Sequence, residues 1–349
     1  MWKYVLKRVI LVFLTAIIIL SLTFILIKAL PPASPAGFAD QVQAFYLKQV
    51  EYGYMLDKTE LTESLGNCLY NWKDTAGVYH YIYNRPIMDQ YFSWVVNIVT
   101  KWDWGTSTNV SVGQSAMLLI VERLPVTIKL NLVSVCVYLP IGFGLGIWAA
   151  LKKNTVTDGI ISTSIMVFTS IPSFITITFL LILFAYGLHW FPSDWPSKQA
   201  ATSEKILAYF IPVFSLSIGP ICGYARSVRA ELCDIMASDF LLLARTKGLS
   251  KSQTVIRHAL KNSMVPLFPS LLLEIIGCLS GSMVLEQLYG IPGIGTLFIK
   301  ALGDPGKTTD YNLLMVDMAV VTLISLFGGL VADLSYGLID PRIRMGAKK

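Results

Sequence analysis

The sequence is unusually poor in charged residues. Asp, Glu, Lys and Arg together make up 14% of the 349 residues, whereas 54% are hydrophobic. A soluble protein carries about 25% charged residues, and a chain of this length would need them to cover roughly two or three domains. The shortage argues against a soluble globular enzyme and the apolar content excludes a disordered chain, so a protein with several membrane spans is expected.

Cysteine and histidine are also scarce. The chain has five cysteines and three histidines, without a CxxC pair. Such scattered positions exclude a disulfide framework or a clustered metal site, and buried, reduced cysteines are expected. The apolar runs also lack paired His–Glu, Ser–His or Asp–Asp spacings, so no catalytic residue is predicted. The residues concerned are Cys68, Cys136, Cys222, Cys233, Cys278, His80, His189 and His258.

Long apolar runs, by contrast, are abundant. A membrane-spanning helix needs about 20 mostly apolar residues, and six runs meet that length. The fifth run carries Glu274, and the sixth carries Asp317 and Asp333. The predicted fold is therefore an all-α membrane protein with six spans, at residues 9–27, 130–151, 159–192, 206–225, 262–285 and 311–339.

The basic residues predict the orientation of these spans. Of the 28 Lys and Arg residues, sixteen flank the spans on one side. The positive-inside rule places that side, and with it both termini, in the cytoplasm. The predicted organisation is a cytoplasmic tip and first helix at 1–30, an extracytoplasmic insertion at 31–114, and a five-span core at 115–349 with a cytoplasmic loop at about 226–262.

That cytoplasmic loop predicts two short helices separated by a glycine. Asp239 is placed to N-cap a helix at 240–247, and Gly248 follows where a C-terminal glycine belongs. Ser250 and Gln253 form a capping box that opens a second helix. The residues alone leave two interpretations open: a tight turn whose bases only fix topology, or a docking element for a cytosolic partner. The expected apolar face of the second helix comprises Val255, Ile256, Ala259 and Leu260.

The same loop resembles the EAA loop of ABC-importer permeases, and most of all that of the dipeptide/oligopeptide branch. The name-giving Glu is replaced by Leu242, and Leu243 stands for the alanine that follows it. The first span with its large external segment also resembles the B-type subunit of oligopeptide importers. The motifs that carry the resemblance lie, in the same order as in that branch, at 104–107, 123–128, 170–174, 239–250, 257–266, 286–295 and 338–344.

The resemblance implies a permease half of type I importer architecture in the bacterial inner membrane. It would pair with a second permease subunit, contact two ATPase subunits that hold ATP and magnesium, and receive peptide from an extracytoplasmic binding protein. This chain itself would need no cofactor and would bind no nucleic acid. The implied ATPase-docking residues are Asp239, Phe240, Leu241, Leu243, Ala244, Arg245, Thr246, Lys247, Gly248 and Leu249, with Phe240, Leu241 and Leu243 as apolar anchors. Residues implied to support the loop are Ser250, Gln253, His258, Asn262 and Pro266.

Two further features have open interpretations. Glu274, near the middle of its predicted span, either lines the translocation path and contacts a peptide amine, or is a hydrogen-bonded acid at a subunit interface. The turn at 289–295 is either a simple re-entry loop or, by the resemblance, an external mouth. The residues assigned to the path or mouth are Glu274, Glu286, Pro292, Gly293 and Gly295.

A loose phosphate-loop pattern at 301–308 is a false lead. A working phosphate loop needs a preceding strand, a following helix and a second nucleotide motif, and this match falls between two predicted spans on the external side. It is interpreted as a turn, so ATP hydrolysis is expected from another polypeptide. Two alternatives remain: the same permease class with another small solute, such as a nickel chelate, or a secondary transporter driven by ions through Glu274 and Asp317.

Overall fold

The computed structural model describes residues 2–30, 39–304 and 308–339. The phosphate-loop pattern at 301–308 and the motif at 338–344 therefore fall partly outside the described residues. The chain is mostly helical. The helices are α1 (Trp2–Ala29), α2 (Ala39–Glu51), α3 (Ile87–Lys101), α4 (Ala116–Leu151), α5 (Val156–Thr169), α6 (Ser173–Leu180), α7 (Thr202–Leu207), α8 (Phe210–Met236), α9 (Asp239–Thr246), α10 (Lys251–Thr254), α11 (Leu260–Gly277), α12 (Met283–Leu288), α13 (Ile294–Leu302) and α14 (Tyr311–Ile339), with a 3-10 turn at Glu63–Leu65 and π turns at Leu181–Gly187 and Val255–Ala259.

Among the described residues, five helical segments are long and apolar enough to cross a membrane. They are Val5–Ala29, Ala116–Leu151, Thr202–Met236, Val255–Gly277 and Tyr311–Ser335. The predicted run at 159–192 differs, because it forms two helices, Val156–Thr169 and Ser173–Gly187, that meet at 94°. Pro172 at the N-cap of α6 explains the bend, since proline disfavours helical geometry in the residue before it. The described chain thus has five candidate spans, or six if the bent pair is one span.

The predicted span at 262–285 is wrong at both ends. The helix starts earlier, at Lys251, and continues through the π turn to Gly277. Residues 278–282 are not helical, and α12 follows as a separate short helix. Glycine and serine favour helix poorly, and this stretch contains Ser280, Gly281 and Ser282. Glu274 consequently lies one turn from the end of its helix rather than at the middle of a span.

Residues 39–101 form a small folded segment between the first two long helices. Three antiparallel strands, β1 (Met55–Lys58), β2 (Tyr70–Lys73) and β3 (Tyr79–Asn84), are arranged in the order β1-β3-β2. Leu56 faces Tyr83 across the first pair and Trp72 faces His80 across the second. His80 Nδ1 lies 2.8 Å from the Asp57 carboxylate, and this hydrogen bond raises the pKa of His80. When the imidazole is charged, the ion pair between His80 and Asp57 stabilises the contact between β3 and β1.

The chain divides into two compact units. The first unit comprises residues 1–9, 125–295 and 324–349, and the second comprises residues 10–124 and 296–323. In the first unit, α4 and α8 approach closely through two glycines spaced four residues apart. A Cβ on Gly146 would lie 2.6 Å from the Ala225 carbonyl oxygen, and one on Gly142 would lie 3.0 Å from the Ile221 oxygen. Small residues at this spacing allow two membrane helices to pack backbone against backbone.

Candidate functional sites

The loop predicted to contain two helices forms a bend around Gly248. We call this bend the elbow; it comprises α9, Gly248 and the helix that starts at α10. Helix α9 begins at Asp239 and ends at Thr246, one residue earlier at each end than predicted. Gly248 has a φ of +88°, a left-handed conformation in which glycine carries no steric cost. The Leu249 N–H donates to the Ala244 carbonyl at 3.4 Å and closes the helix end. The predicted role of Gly248 as the glycine that ends the helix is confirmed.

The predicted capping box on the far side of the elbow is also confirmed. The Ser250 N–H donates to Gln253 Oε1 at 3.2 Å, and the Gln253 N–H donates to Ser250 Oγ at 3.3 Å. The helix that starts here passes without interruption through α10, the π turn and α11. His258 is half-buried on this helix, whereas Asn262 and Pro266 are exposed. The second helix of the elbow is therefore the first part of a helix that continues into a candidate membrane span.

The buried face of α9 corrects the predicted set of apolar anchors. Leu241 is 1% exposed and belongs to a cluster that also contains Leu232 and Ala259. Its side chain thus packs inside this chain and cannot fill the groove of a partner. Leu242, at the position of the missing Glu, is instead 62% exposed, and Phe240 and Leu243 are exposed beside it. Adjacent residues on a helix point about 100° apart, so the three consecutive leucines 241–243 cannot all face the same side, and here Leu241 is the one that faces inward.

The remaining elbow residues are mostly open to solvent. Asp239, Thr246 and Lys247 are exposed, Ala244 is half-buried, and the side chain of Arg245 lies outside the described part of the chain. On the second helix, Ile256 is exposed, although the sequence predicted it on the apolar face with Val255 and Ala259, which are buried. The elbow thus presents apolar side chains beside charged ones on its free surface, an arrangement that suits docking of a helix into a groove.

An ion pair between a half-buried arginine and a buried aspartate braces the helix that leads into the elbow. Arg229 on α8 donates from Nε and from its Nη2 to the two oxygens of Asp158, at 2.6 and 2.7 Å. Asp158 lies in the first turn of α5 and also accepts the Asn154 N–H at 3.0 Å. This pair was not among the predicted site residues. The Thr155-x-x-Asp158 spacing is a helix-start signal and was the available clue.

A cavity lined by both polar and apolar residues lies beside the break in the fifth span. The Asn131 amide donates to the Cys278 carbonyl at 2.9 Å and to the Ser280 carbonyl at 3.3 Å, which satisfies backbone groups that the broken helix leaves open. Tyr138 donates its hydroxyl to Glu274 Oε1 at 3.0 Å. The cavity has a volume of about 370 Å³. Its polar lining includes Asn131, Ser134, Tyr138, Glu274, Ser280 and Ser282.

The chemistry of this cavity suits a polar solute. Irregular backbone at membrane depth is tolerated where it lines a water-filled space, and acids in membrane helices commonly mark solute pathways. Glu274 supplies a carboxylate that can accept hydrogen bonds, and its side chain is exposed. The hydroxyl of Tyr138 and the amide of Asn131 supply neutral polar groups. The cavity therefore offers hydrogen-bonding partners for ammonium and amide groups.

Glu286 is a buried, hydrogen-bonded residue inside the first unit rather than one that lines an open path. It is 1% exposed and accepts a hydrogen bond from Thr127 Oγ1 at 3.0 Å. The same Thr127 oxygen accepts the Ile294 N–H at 3.0 Å. Gly293 and Gly295 are buried against the carboxylate, and a Cβ on Gly293 would overlap both Glu286 and Thr127. Pro292 is half-buried. This packing corrects the assignment of Glu286, Gly293 and Gly295 to an open mouth and favours the re-entry loop.

Asp310, which was not among the predicted site residues, connects a loop to the start of a helix in the second unit. Its Oδ2 accepts Ser107 Oγ at 2.5 Å and the backbone N–H groups of Thr108, Asn109 and Val110 at 2.9, 3.0 and 3.1 Å. Its Oδ1 accepts the Leu313 N–H at 3.0 Å, which caps α14. One carboxylate thus joins a loop to a helix start. An aspartate just before a long apolar run was the signal that was available.

The same joint accounts for the motif at 104–107. Gly105 has a φ of +88°, and a Cβ there would lie 2.5 Å from Asn312 Nδ2. The Asn312 amide donates to the Thr106 carbonyl at 2.8 Å. Gly105 therefore lets the loop approach the start of α14 closely enough for Ser107 to reach Asp310.

Comparison with known proteins identifies relatives over the whole chain. Residues 142–345 match the family described as "Binding-protein-dependent transport system inner membrane component". The dipeptide transport system permease protein DppB of Lactococcus lactis subsp. cremoris is 31% identical over 349 residues, covering 99% of this chain and 100% of that protein. The oligopeptide transport system permease protein OppB of Haemophilus influenzae is 34% identical over 266 residues, covering 76% of this chain and 83% of that protein.

Proposed function

This chain belongs to the family of binding-protein-dependent transport system inner membrane components, and from that premise we propose that it carries peptides across the membrane as one half of the translocation path. The chain is a multi-pass permease subunit of an ABC importer in a bacterial inner membrane. The observation that carries the peptide assignment is the similarity to a dipeptide permease along 99% of the chain.

The proposed topology has six spans and both termini in the cytoplasm. It counts the bent pair as one span. Near the two ends of the chain, Arg8 Nη1 lies 2.9 Å from Asp333 Oδ2, as expected if both ends lie on the same side. Residues 1–30 then form the cytoplasmic tip and first span, residues 31–114 the extracytoplasmic insertion, and residues 115–349 the permease core.

The elbow at Gly248 is the proposed docking site for an ATPase subunit. Phe240, Leu242 and Leu243 are exposed on α9 and supply the apolar contacts, as helix-in-groove recognition requires. The proposed complex contains this chain, a second permease subunit, two ATPase subunits that hold ATP and magnesium, and an extracytoplasmic binding protein. The uninterrupted helix from Lys251 to Gly277 would carry movement of the docked elbow to the cavity beside Glu274.

The cavity is the proposed contact site for the peptide in transit. A peptide presents an N-terminal ammonium group and a row of amides, and the cavity offers the Glu274 carboxylate with the Tyr138 hydroxyl and the Asn131 amide. An ammonium group near a carboxylate in a site of low dielectric is attracted more strongly than in water. The site therefore fits a peptide better than an uncharged solute.

Purification of the native complex and reconstitution in proteoliposomes tests the proposed function. We expect the tagged chain to retain two ATPases and a second permease, and to import peptide only with ATP and a peptide-loaded binding protein. Recovery of a homodimer that takes up solute along an ion gradient would overturn the importer assignment. Uptake of a nickel chelate but not of peptide would overturn the cargo.

Replacement of Glu274 by glutamine is expected to lower peptide uptake by about threefold to tenfold, because ~1 kcal/mol of charge attraction to the peptide amine is lost. Glutamine keeps the size of the side chain and an oxygen that accepts from Tyr138. Initial uptake rates in proteoliposomes at limiting peptide measure the effect. Glu60→Gln, which changes an exposed acid far from the cavity in sequence, is the matched control and should leave uptake unchanged. Equal rates for both variants would exclude Glu274 from the peptide path.

A further inference from the structure

We propose that helix α3 is embedded in the outer leaflet of the membrane beside α1, with its exposed apolar stripe in contact with lipid acyl chains. The sequence placed the whole of residues 31–114 outside the membrane, because no run in it is long enough to span. Helix α3 has 15 residues, about 22 Å of helix, which is too short for a hydrocarbon core of about 30 Å. A helix of this length suits a segment that lies within one leaflet.

The contacts between α3 and α1 set the depth of the helix. Between Arg8 and Lys28, α1 has 19 uncharged residues, about 28 Å of helix, which matches the hydrocarbon thickness. Lys28 thus marks the outer boundary, and Ser21 lies about 10 Å inside it. Ser21 Oγ is 2.7 Å from the Tyr91 hydroxyl on α3. The Tyr91 hydroxyl, at the tip of its side chain, therefore contacts α1 below the level of Lys28.

Aromatic packing continues this contact along both helices. Phe24 on α1 is fully buried, and its ring lies 4.9 Å from the Trp94 ring and 5.7 Å from the Tyr91 ring. The Ser21 hydroxyl also donates to the Ile17 carbonyl at 2.6 Å. The two hydroxyl groups at this depth thus satisfy each other and the helix backbone, as hydrocarbon surroundings require.

The two faces of α3 have the polarity expected in lipid. The protein-facing side holds buried Gln90 and Trp94, and Asn97, which donates to the Tyr52 carbonyl at 3.2 Å. The outward side is an apolar stripe at helical spacing, and its side chains are 51% to 78% exposed. No residue between Asp89 and Lys101 is charged. The stripe consists of Met88, Phe92, Val96 and Val99.

The end of α3 has the composition of a membrane interface. Trp102 follows the helix with a φ of +54° and is mostly exposed. Tryptophan is enriched at the level of the lipid headgroups, where its ring is half in lipid and half in water. Lys101, beside it, supplies a charge at the same level. The apolar stripe, followed by Lys101 and Trp102, thus has the composition of a helix that lies within one leaflet and ends at the lipid headgroups.

Spin-label accessibility in the assembled importer, reconstituted in lipid nanodiscs, tests this placement. Cys136 is exposed and Cys68 half-buried, unlike the buried cysteines expected from the sequence, so both are replaced first, whereas Cys222, Cys233 and Cys278 are buried. Nitroxides are then attached at Phe92→Cys or Val96→Cys, with Val78→Cys, exposed at the β2–β3 turn, as the control. Collisions with oxygen, which concentrates in lipid, are compared with collisions with a water-soluble nickel chelate.

We expect the ratio of oxygen to nickel collisions to be several-fold higher at positions 92 and 96 than at position 78. A ratio equal to that of position 78 would place the stripe in water and overturn the proposal. Low collision rates with both reagents would show that protein, such as the second permease subunit or the binding protein, covers the stripe, and would overturn it as well. Peptide uptake by the same labelled protein, reconstituted separately in proteoliposomes, reports on the proposed function, on which only the choice of leaflet depends.

Discussion

Replacement of Gly248 by valine is expected to lower peptide uptake about tenfold while ATP hydrolysis continues and the chain remains in the membrane. Gly248 has a φ of +88°, and a side chain branched at Cβ is strongly disfavoured in that region. The left-handed conformation costs an ordinary residue about 1–2 kcal/mol, so the docking form of the elbow would become several-fold rarer. Uptake and phosphate release are measured together in proteoliposomes, with membrane abundance followed by immunoblot.

Gly248→Asn is the matched control, because asparagine tolerates the left-handed region. Apart from its two chain neighbours, no atom in the part of the chain that the structure describes lies within 4 Å of the position that a Cβ would take at Gly248, so both substitutions fit and differ mainly in backbone preference. The asparagine variant should keep most of the uptake. Normal uptake in the valine variant would contradict the coupling role of the elbow. Equal loss in both variants would show that the side chain itself, rather than the turn, disturbs docking.

Replacement of Asp310 by alanine is expected to destabilise the chain by on the order of 3 kcal/mol. The carboxylate is fully buried and accepts hydrogen bonds from Ser107, from three backbone N–H groups after it, and from Leu313. A buried donor that loses its acceptor costs about 1–3 kcal/mol, and water can reach part of the loop once the joint opens. Thermal unfolding of the purified chain in detergent measures the loss.

Asp304→Ala serves as the control for Asp310, because Asp304 is an exposed acid in the same connection. Its melting temperature should equal that of the unmodified chain. Asp310→Asn should fall between the two, since asparagine caps helices well but offers one oxygen where aspartate offers two. Identical melting temperatures for Asp310→Ala and Asp304→Ala would contradict the role of Asp310 as the joint.

Local features of the sequence were sufficient to predict the long helices and the elbow. Apolar runs mark five of the candidate spans, and the helix-ending glycine and the capping box both lie within the fifteen residues 239–253. These features depend on backbone chemistry over a few neighbours, so they can be recognised without knowing the fold. The break after Gly277 was missed because its residues are apolar or small and continue an uncharged run, and hydropathy does not distinguish an unwound segment from a helix.

Contacts between distant residues explain the remaining errors. Ser107 and Asp310 are 203 residues apart, and Asp158 and Arg229 are 71 apart, so no local pattern connects either pair. Leu241 and Leu242 are chemically identical neighbours, and only the packing of Leu241 on Leu232 decides which of them is free. The candidate cavity depends on the same information, because Glu274 and Tyr138 lie on different helices. Sequence motifs therefore located the elbow but not which of its residues face outward.

In the proposed complex, the helix from Lys251 to Gly277 would act as a lever arm. Its 27 residues span about 40 Å, so a tilt of about 10° at the elbow displaces the far end by about 7 Å. Residues 278–282, being unwound, would absorb that displacement, while the bond from Thr127 to Glu286 anchors α12 beyond them. A small rotation at the proposed docking site would thereby be amplified into a movement as large as a peptide backbone is wide, at the wall that carries Glu274.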